Sequence, residues 1–257
     1  MKKKYISFFA TSVVVAIVIF TTSYKSSDTK ESFSATSSST GFAVLELFTS
    51  QGCSSCPPAD ALLGRYAAKA DANIFPLSFH VDYWNRLGWK DPFSAAKFSE
   101  RQRDYAMIIN NASVYTPQLV VNGVKEMVGN DEKAVASAVA NAIKVSPVLE
   151  IVINKIETKG DDVAIYFTTD KNIKNCKVQA ALVQARAFTH ILKGENEGIN
   201  LTNYNVVRDF VSKPLTQGTS SVGLQLPGNR TDNNYSVVLY VQEDASGKII
   251  AAIKSNL

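Results

Sequence analysis

Cys53 and Cys56 stand three apart in "AVLELFTSQGCSSCPPADALL", residues 43–63, and the only other cysteine of the 257-residue chain is Cys176. Thiols at this spacing can form a redox pair, supply half of a metal site, or be incidental small residues. The residues before them alternate like a strand, and those after them have helical spacing. The opening N–H groups of a helix lack internal partners and carry partial positive charge. A thiolate there is stabilised, and its pKa falls from about 8.5 toward about 3.5–7.5. The spacing therefore predicts Cys53 at the helix N-terminus as the attacking thiol. Cys56, one turn into the helix, would reach back and resolve the mixed disulfide as Cys53–Cys56. Such chemistry needs the sulfurs to face each other with an opening to solvent.

Other polar residues stand where they could serve these sulfurs. Thr116-Pro117 opens the apolar run "PQLVVNG", and a proline at a strand's start suggests a cis bond or an edge strand. His80 and Asp82 alternate onto one face at the end of "LSFHVDYW". Reactive groups in open α/β sheets collect at the carboxyl ends of strands, so this pair could relay protons or favour the thiolate. The alternative is an interior histidine and an aspartate capping a turn. Trp84 and Trp89 either wall the site or pack in the core. Cys176 reads as a buried small residue, or as a third redox thiol.

These residues need elements to hold them. "AVLELFT" and "NIFPLSFHVDYW" read as strands, as does the run after Pro117. Residues 57–70, "SAAKFSERQRDYAMII" and "DEKAVASAVANAIKV" read as helices. Pro57 and Pro58 suit a first helical turn, where a missing N–H costs nothing. The order is strand, helix, strand, helix, strand, helix. After "SPVLE" the texture becomes β-rich, with strands at "VLEIVINKIE", "DDVAIYFTT", "CKVQAALVQA", "YSVVLYVQED" and "KIIAAIK", and a loop-rich stretch at 189–234. This predicts an α/β domain over 42–146, then a β-rich, antiparallel sandwich-like domain over 147–257.

The N-terminus has a different purpose. Lys2, Lys3 and Lys4 precede an apolar run densest at "VVVAIVIF", the build of a secretory signal or an uncleaved membrane anchor over residues 1–24. Residues 25–41 are Ser/Thr-rich and read as a flexible tether. The rest of the chain is thus expected to be exported, to the periplasm or beyond, with the membrane touched only through that anchor. The formal charge is +4, partly from those lysines. That excludes the broad basic surface of a nucleic-acid binder.

The blocks "LELFTSQGCSSCPPAD", "FHVDYWNRLGWKDPF", "RQRDYA", "VYTPQLVVNG" and "KGENEGINLTNYNVV" resemble an exported bacterial family, domain-of-unknown-function family 1223. Residues 43–143 are also similar to the thioredoxin-like superfamily. The resemblance implies a thioredoxin-like fold and a dithiol at Cys53 and Cys56. It also implies that the Thr116-Pro117 bond is cis, with Pro117 against the cysteine motif and offering backbone to a substrate chain. Thioredoxins keep a buried acid on the strand before the motif, and Glu46 matches that place. Glu46 shares a face with Val44 and Phe48, and burial would raise its pKa toward that of a proton acceptor. Ser54-Ser55 replaces the usual Gly-Pro, so a strongly reducing character is not implied. Glu195 and Asn196 fall in a family block and could line the same cleft.

Three functions compete. An exported thiol–disulfide oxidoreductase would act on protein thiols, disulfides or a redox partner protein in a compartment where disulfides persist. It calls for no cofactor. A metal-delivery protein would use Cys53, Cys56 and His80 as copper ligands. A non-catalytic protein would carry Cys53–Cys56 as a staple, although so short a loop adds little stability.

Overall fold

The computed structural model describes Met1 and residues 30–32, 35–37, 39–69, 71–109, 113–216, 218–228, 230 and 234–257. The apolar N-terminal run, and with it the expected signal or anchor, lies outside the described residues. Among the described residues no helix is long and apolar enough to cross a membrane.

The strands are β1 (Lys30–Ser32), β2 (Ala35–Thr36), β3 (Ala43–Thr49), β4 (Ile74–His80), β5 (Gln118–Val121), β6 (Lys125–Val128), β7 (Ile151–Lys159), β8 (Asp162–Thr169), β9 (Cys176–His190), β10 (Asn200–Pro214), β11 (Ser220–Gln225), β12 (Tyr235–Glu243) and β13 (Ile249–Asn256). Among the described residues three α-helices are α1 (Pro57–Ala68), α2 (Ala96–Ile108) and α3 (Glu132–Ala142). The molecule is thus mixed α/β and dominated by β-sheet.

The alternation of β3 sorts its neighbours. Leu45 and Leu47 project to one face and pack with Ala59, Leu62 and Leu63 of α1 and Val135 and Val139 of α3. Val44 and Phe48 project to the other face and pack with Phe98 and Tyr105 of α2. β3 pairs parallel with β4 and antiparallel with β5, which turns into β6. Asp131 caps α3 by accepting from the Ala134 N–H at 3.0 Å.

The second half is not set apart from the first. β4 also pairs parallel with β10, so one eight-stranded sheet runs β13-β12-β9-β10-β4-β3-β5-β6. A second sheet, β1-β7-β8-β11 with β2 beside β7, packs against it. Its Ile151, Ile153, Ile165 and Phe167 share a core with Val178, Leu182, Leu239 and Ile253 of the long sheet.

Two stretches differ from expectation. Part of the Ser/Thr-rich tract, as β1 and β2, pairs antiparallel with β7. An unpaired sheet edge offers backbone partners that the composition of the added strand does not reveal. The loop-rich stretch contains the 15-residue β10 and then β11. β10 is hydrogen-bonded on both sides, and its inward Asn203 and Asn205 are buried. The Asn205 amide donates to the Pro76 carbonyl at 2.9 Å.

Candidate functional site: the Cys53–Cys56 turn

β3 stops at Thr49, and the chain folds tightly before α1 begins. The Cys53 N–H donates to the Ser50 carbonyl at 3.2 Å, and the Cys56 N–H to the Cys53 carbonyl at 3.2 Å. Cys56 is the N-cap of α1, with Pro57 and Pro58 next. The two cysteines are joined as a disulfide. Cys53 therefore lies outside the helix and Cys56 at its threshold, one turn earlier than the spacing predicted. Both cysteines are 0 % exposed, whereas Ser54 and Ser55 between them are exposed. The expected opening to solvent is absent.

The same turn revises how a thiolate would be stabilised. Pro57 and Pro58 remove two of the amides that a helix start normally offers. The Ser54 N–H is occupied by the Glu195 carboxylate at 3.0 Å. Cys53 Sγ is met by hydroxyls instead: Thr116 Oγ1 donates to it at 3.3 Å, and Ser55 Oγ lies 3.4 Å away. Thr116 in turn accepts from the Trp84 indole at 2.8 Å. The Thr116-Pro117 bond is cis. The Pro117 carbonyl accepts from the Gly129 N–H at 2.8 Å. A Cβ at Gly129 would fall 2.6 Å from a Leu47 methyl and 3.3 Å from Pro117, so a larger residue would have to displace Leu47 for this loop to approach as closely.

Beneath the turn is a buried polar cluster. The Thr49 hydroxyl donates to Asp60 Oδ2 at 3.2 Å. Asp60 follows Cys56 by four residues, one turn of helix, and its N–H donates to the Cys56 carbonyl at 3.1 Å. Burial pushes its pKa up to about 7, against a smaller downward pull from His80. In the neighbouring strand His80 Nδ1 lies 2.7 Å from Asp91 Oδ2, both side chains fully buried. Burial would lower the His80 pKa, but the Asp91 carboxylate reverses this and holds it above the usual histidine value. Burial works the other way on Asp91, and His80 with the N–H groups of Gln51 and Phe93 keeps it below the usual range. Asp60 Oδ1 and His80 Nε2 are buried with no hydrogen-bond partner among the described residues.

Glu46 stands apart from the sulfurs. It is fully buried, as alternation suggested, but on the α2 face of the sheet. α1 and its cysteine cover the other face. Arg101 of α2 grips Glu46 with two N–H groups, at 2.8 and 3.0 Å, and Tyr240 donates to it at 2.6 Å. Tyr105 donates as well. The Arg101 guanidinium lies 4.7–5.9 Å from the ring centroids of Phe79, Tyr105, Phe210 and Tyr240. This is an internal ion pair built into the sheet core.

Asp82 is also separated from His80. It accepts from the Ser99 hydroxyl at 2.5 Å, while the Ser99 oxygen accepts from the Asp82 N–H at 3.1 Å. Asp82 thus ties the strand exit to α2, and the partner of His80 is Asp91. Among the described residues no three His, Cys, Asp or Glu side chains converge as a metal-binding group, and Cys53 and Cys56 are joined to each other. Cys176 is buried in the sandwich core. Burial, with Glu243 and Asp244 nearby, raises its thiol pKa.

The second half of the chain supplies the roof. The buried Gln51 amide donates to Thr189 Oγ1 and Asn203 Oδ1, both at 3.0 Å, and its carbonyl accepts from the Trp89 indole at 3.1 Å. The Asn196 amide donates to the carbonyls of Gln51 at 2.9 Å and Cys53 at 3.0 Å. Trp84 and Trp89 are half-buried and each sends its indole N–H into the site. Sequence reasoning missed Gln51, Asp60, Asp91 and Asn203. Asp60 had a local signal, an acid one helical turn past Cys56. The others meet only through long-range folding.

Comparison with other proteins places this arrangement among relatives. The family described as Protein of unknown function (DUF1223) matches residues 44–242. A crystal structure of an Agrobacterium tumefaciens protein is 28 % identical, with a TM-score of 0.61 over 84 % of this chain and 93 % of that one. HBP35 of Porphyromonas gingivalis is 14 % identical, with a TM-score of 0.59 over 86 % of this chain and 76 % of that one. At that identity the likeness concerns the fold alone. No curated protein matches the chain.

Proposed function

The chain belongs to the DUF1223 family, and from that premise we propose that it is a thiol–disulfide oxidoreductase whose reactive group is the Cys53–Cys56 pair. The supporting observation is the contact of Thr116 with Cys53 Sγ at 3.3 Å, which marks Cys53 as the sulfur furnished with a hydroxyl donor. A hydroxyl that donates to sulfur stabilises its anion, both as leaving group and as attacking thiolate. The strand and helix order of residues 43–142 agrees with a thioredoxin-like unit, and we read it as one.

In this reading a client thiolate attacks Cys53 Sγ, and the Cys53–Cys56 bond breaks. Cys56 leaves as a thiolate and takes up a proton. A second client thiol then releases Cys53, so the client gains a disulfide while the pair gains two electrons and two protons. The reverse sequence reduces a client. Asp60 replaces Glu46 as the candidate acid–base group, because it lies one turn beyond Cys56 and its pKa is raised to about 7. A group with a pKa near the working pH gives and takes protons with least loss. We also propose that the folded part works outside the cytoplasm, where such a pair finds disulfide-bearing clients.

The experiment is turnover of a disulfide-bearing test protein, such as insulin with a thiol reductant, by wild type, Cys53→Ala and Cys56→Ala. Wild type should accelerate the reaction, Cys53→Ala should not, and Cys56→Ala should accumulate mixed disulfides through Cys53. Equal rates in wild type and Cys53→Ala would reject the reading.

A further inference from the structure

Cys53 is 0 % exposed although its neighbours Ser54 and Ser55 face solvent. What sits on the Cys53 backbone is a short segment from the other half of the chain, residues 193–198, at the tip of the β9–β10 hairpin. Asn196, itself 2 % exposed, holds the Gln51 and Cys53 carbonyls. Glu195 holds the Ser54 N–H. We propose that this segment is a gate over the disulfide, latched by Asn196 and Glu195, and that its release admits a thiol to Cys53.

The segment is built as a unit that can move. Glu197 N–H bonds the Gly194 carbonyl within it at 3.1 Å, and its base is closed by Ile199 N–H to the Asn196 carbonyl at 3.1 Å and Gly198 N–H to the Ile191 carbonyl at 2.8 Å. Gly194 (φ 84°) and Gly198 (φ 79°) bracket it in the left-handed region that favours glycine. Ile191 is fully buried and anchors one foot, but Leu192 (62 % exposed) and Ile199 (45 % exposed) add no apolar hold at the seam. The latch is thus three side-chain-to-backbone hydrogen bonds, with Glu195 also bonded to the Ser54 side chain, rather than a buried core. Bonds of that kind open at modest cost compared with unpacking apolar side chains.

The gate rests on the redox reading for its purpose but not for its test. The full oxidised chain is reduced with dithiothreitol, quenched in acid, and labelled with a maleimide polymer that counts free thiols on a gel. One reductant thiolate attacks a sulfur of the pair. Its second thiol closes the reductant's own disulfide, leaving two protons and two electrons on Cys53 and Cys56. Asn196→Ala, which loses two of the three bonds, should be reduced about tenfold faster than wild type, and Glu195→Gln about threefold faster. In concentrated guanidinium all three proteins should react at one rate, showing that intrinsic reactivity is unchanged.

Wild-type rates for both variants under folding conditions would overturn the gate. If Asn196→Ala fails to fold, Glu195→Gln decides alone, because its side chain is exposed. Client turnover by Cys53 with no effect of the latch variants would remove the gate and keep the redox reading. Faster reduction of the variants with no turnover by wild type would do the reverse.

Discussion

The Thr49 hydroxyl and the Asp60 carboxyl, 3.2 Å apart, join the last residue of β3 to the first turn of α1 directly beneath the disulfide turn. Burial outweighs the downward pull of His80 on Asp60 and raises its pKa from 3.8 to about 7. An acid whose pKa rises on folding holds its proton more tightly in the folded state. Its contribution to stability is full below about pH 4 and is lost as pH climbs through about 7.

Asp60→Asn escapes that loss. Its melting temperature relative to wild type should climb between about pH 4 and pH 8. The raised pKa of His80 and the lowered pKa of Asp91 operate in both proteins. A difference that stays flat across this range, in parallel thermal melts, would contradict the buried neutral acid. In the redox assay the same variant should slow the step that protonates or deprotonates Cys56 and flatten its pH profile near neutrality.

Arg101→Met should cost about 3–5 kcal/mol in chemical denaturation, because it leaves the Glu46 carboxylate buried without its cation. Replacing both partners with apolar residues should recover much of that loss, since neither charge then needs a partner. Folded Arg101→Met should keep wild-type reactivity at Cys53. A selective loss of disulfide chemistry would return Glu46 to the site.

Thr116→Val keeps the shape and removes the hydroxyl that donates to Cys53 Sγ. The pH profile of iodoacetamide alkylation, run on reduced protein with Cys56 replaced by alanine, should move upward. Stability should fall by about 1 kcal/mol, as the Trp84 indole loses its acceptor. An unmoved profile would mean that the hydroxyl does not stabilise the thiolate.

Gly64→Ala probes how the second half seats the cysteine-bearing helix. A Cβ at Gly64 would fall 2.5 Å from the Tyr204 ring on β10. Alanine is the better helix former by about 1 kcal/mol, yet overpacking costs about 1–3 kcal/mol. The variant should therefore be destabilised in urea melts. A stabilised variant would show that α1 and β10 are loosely packed.

The elements around the disulfide turn were legible where local pattern governs them. β3, β4 and the three helices follow from alternation and helical spacing. The seam that holds Cys53 and Cys56 follows from where one pattern gives way to the other. β10 was hidden because its inward positions include Asn203 and Asn205, whose burial makes sense only once Gln51 and the Pro76 carbonyl are in place. Glu46 shows the limit of alternation: the face was right, but which helix covers that face is a tertiary fact. Asp91 replaced Asp82 beside His80 for the same reason, since the partner arrives from a loop. The helix-amide account of Cys53 fell to two visible residues, Pro57 and Pro58, whose missing N–H groups remove the donors it needed.

The most direct test of the central claim is the reduction potential of Cys53–Cys56, set by equilibration in thiol–disulfide buffers and read by thiol labelling. A pair that exchanges electrons with clients should fall between about −120 and −270 mV, where dithiol oxidoreductases work. A value below about −300 mV would mark a structural bond and contradict the account.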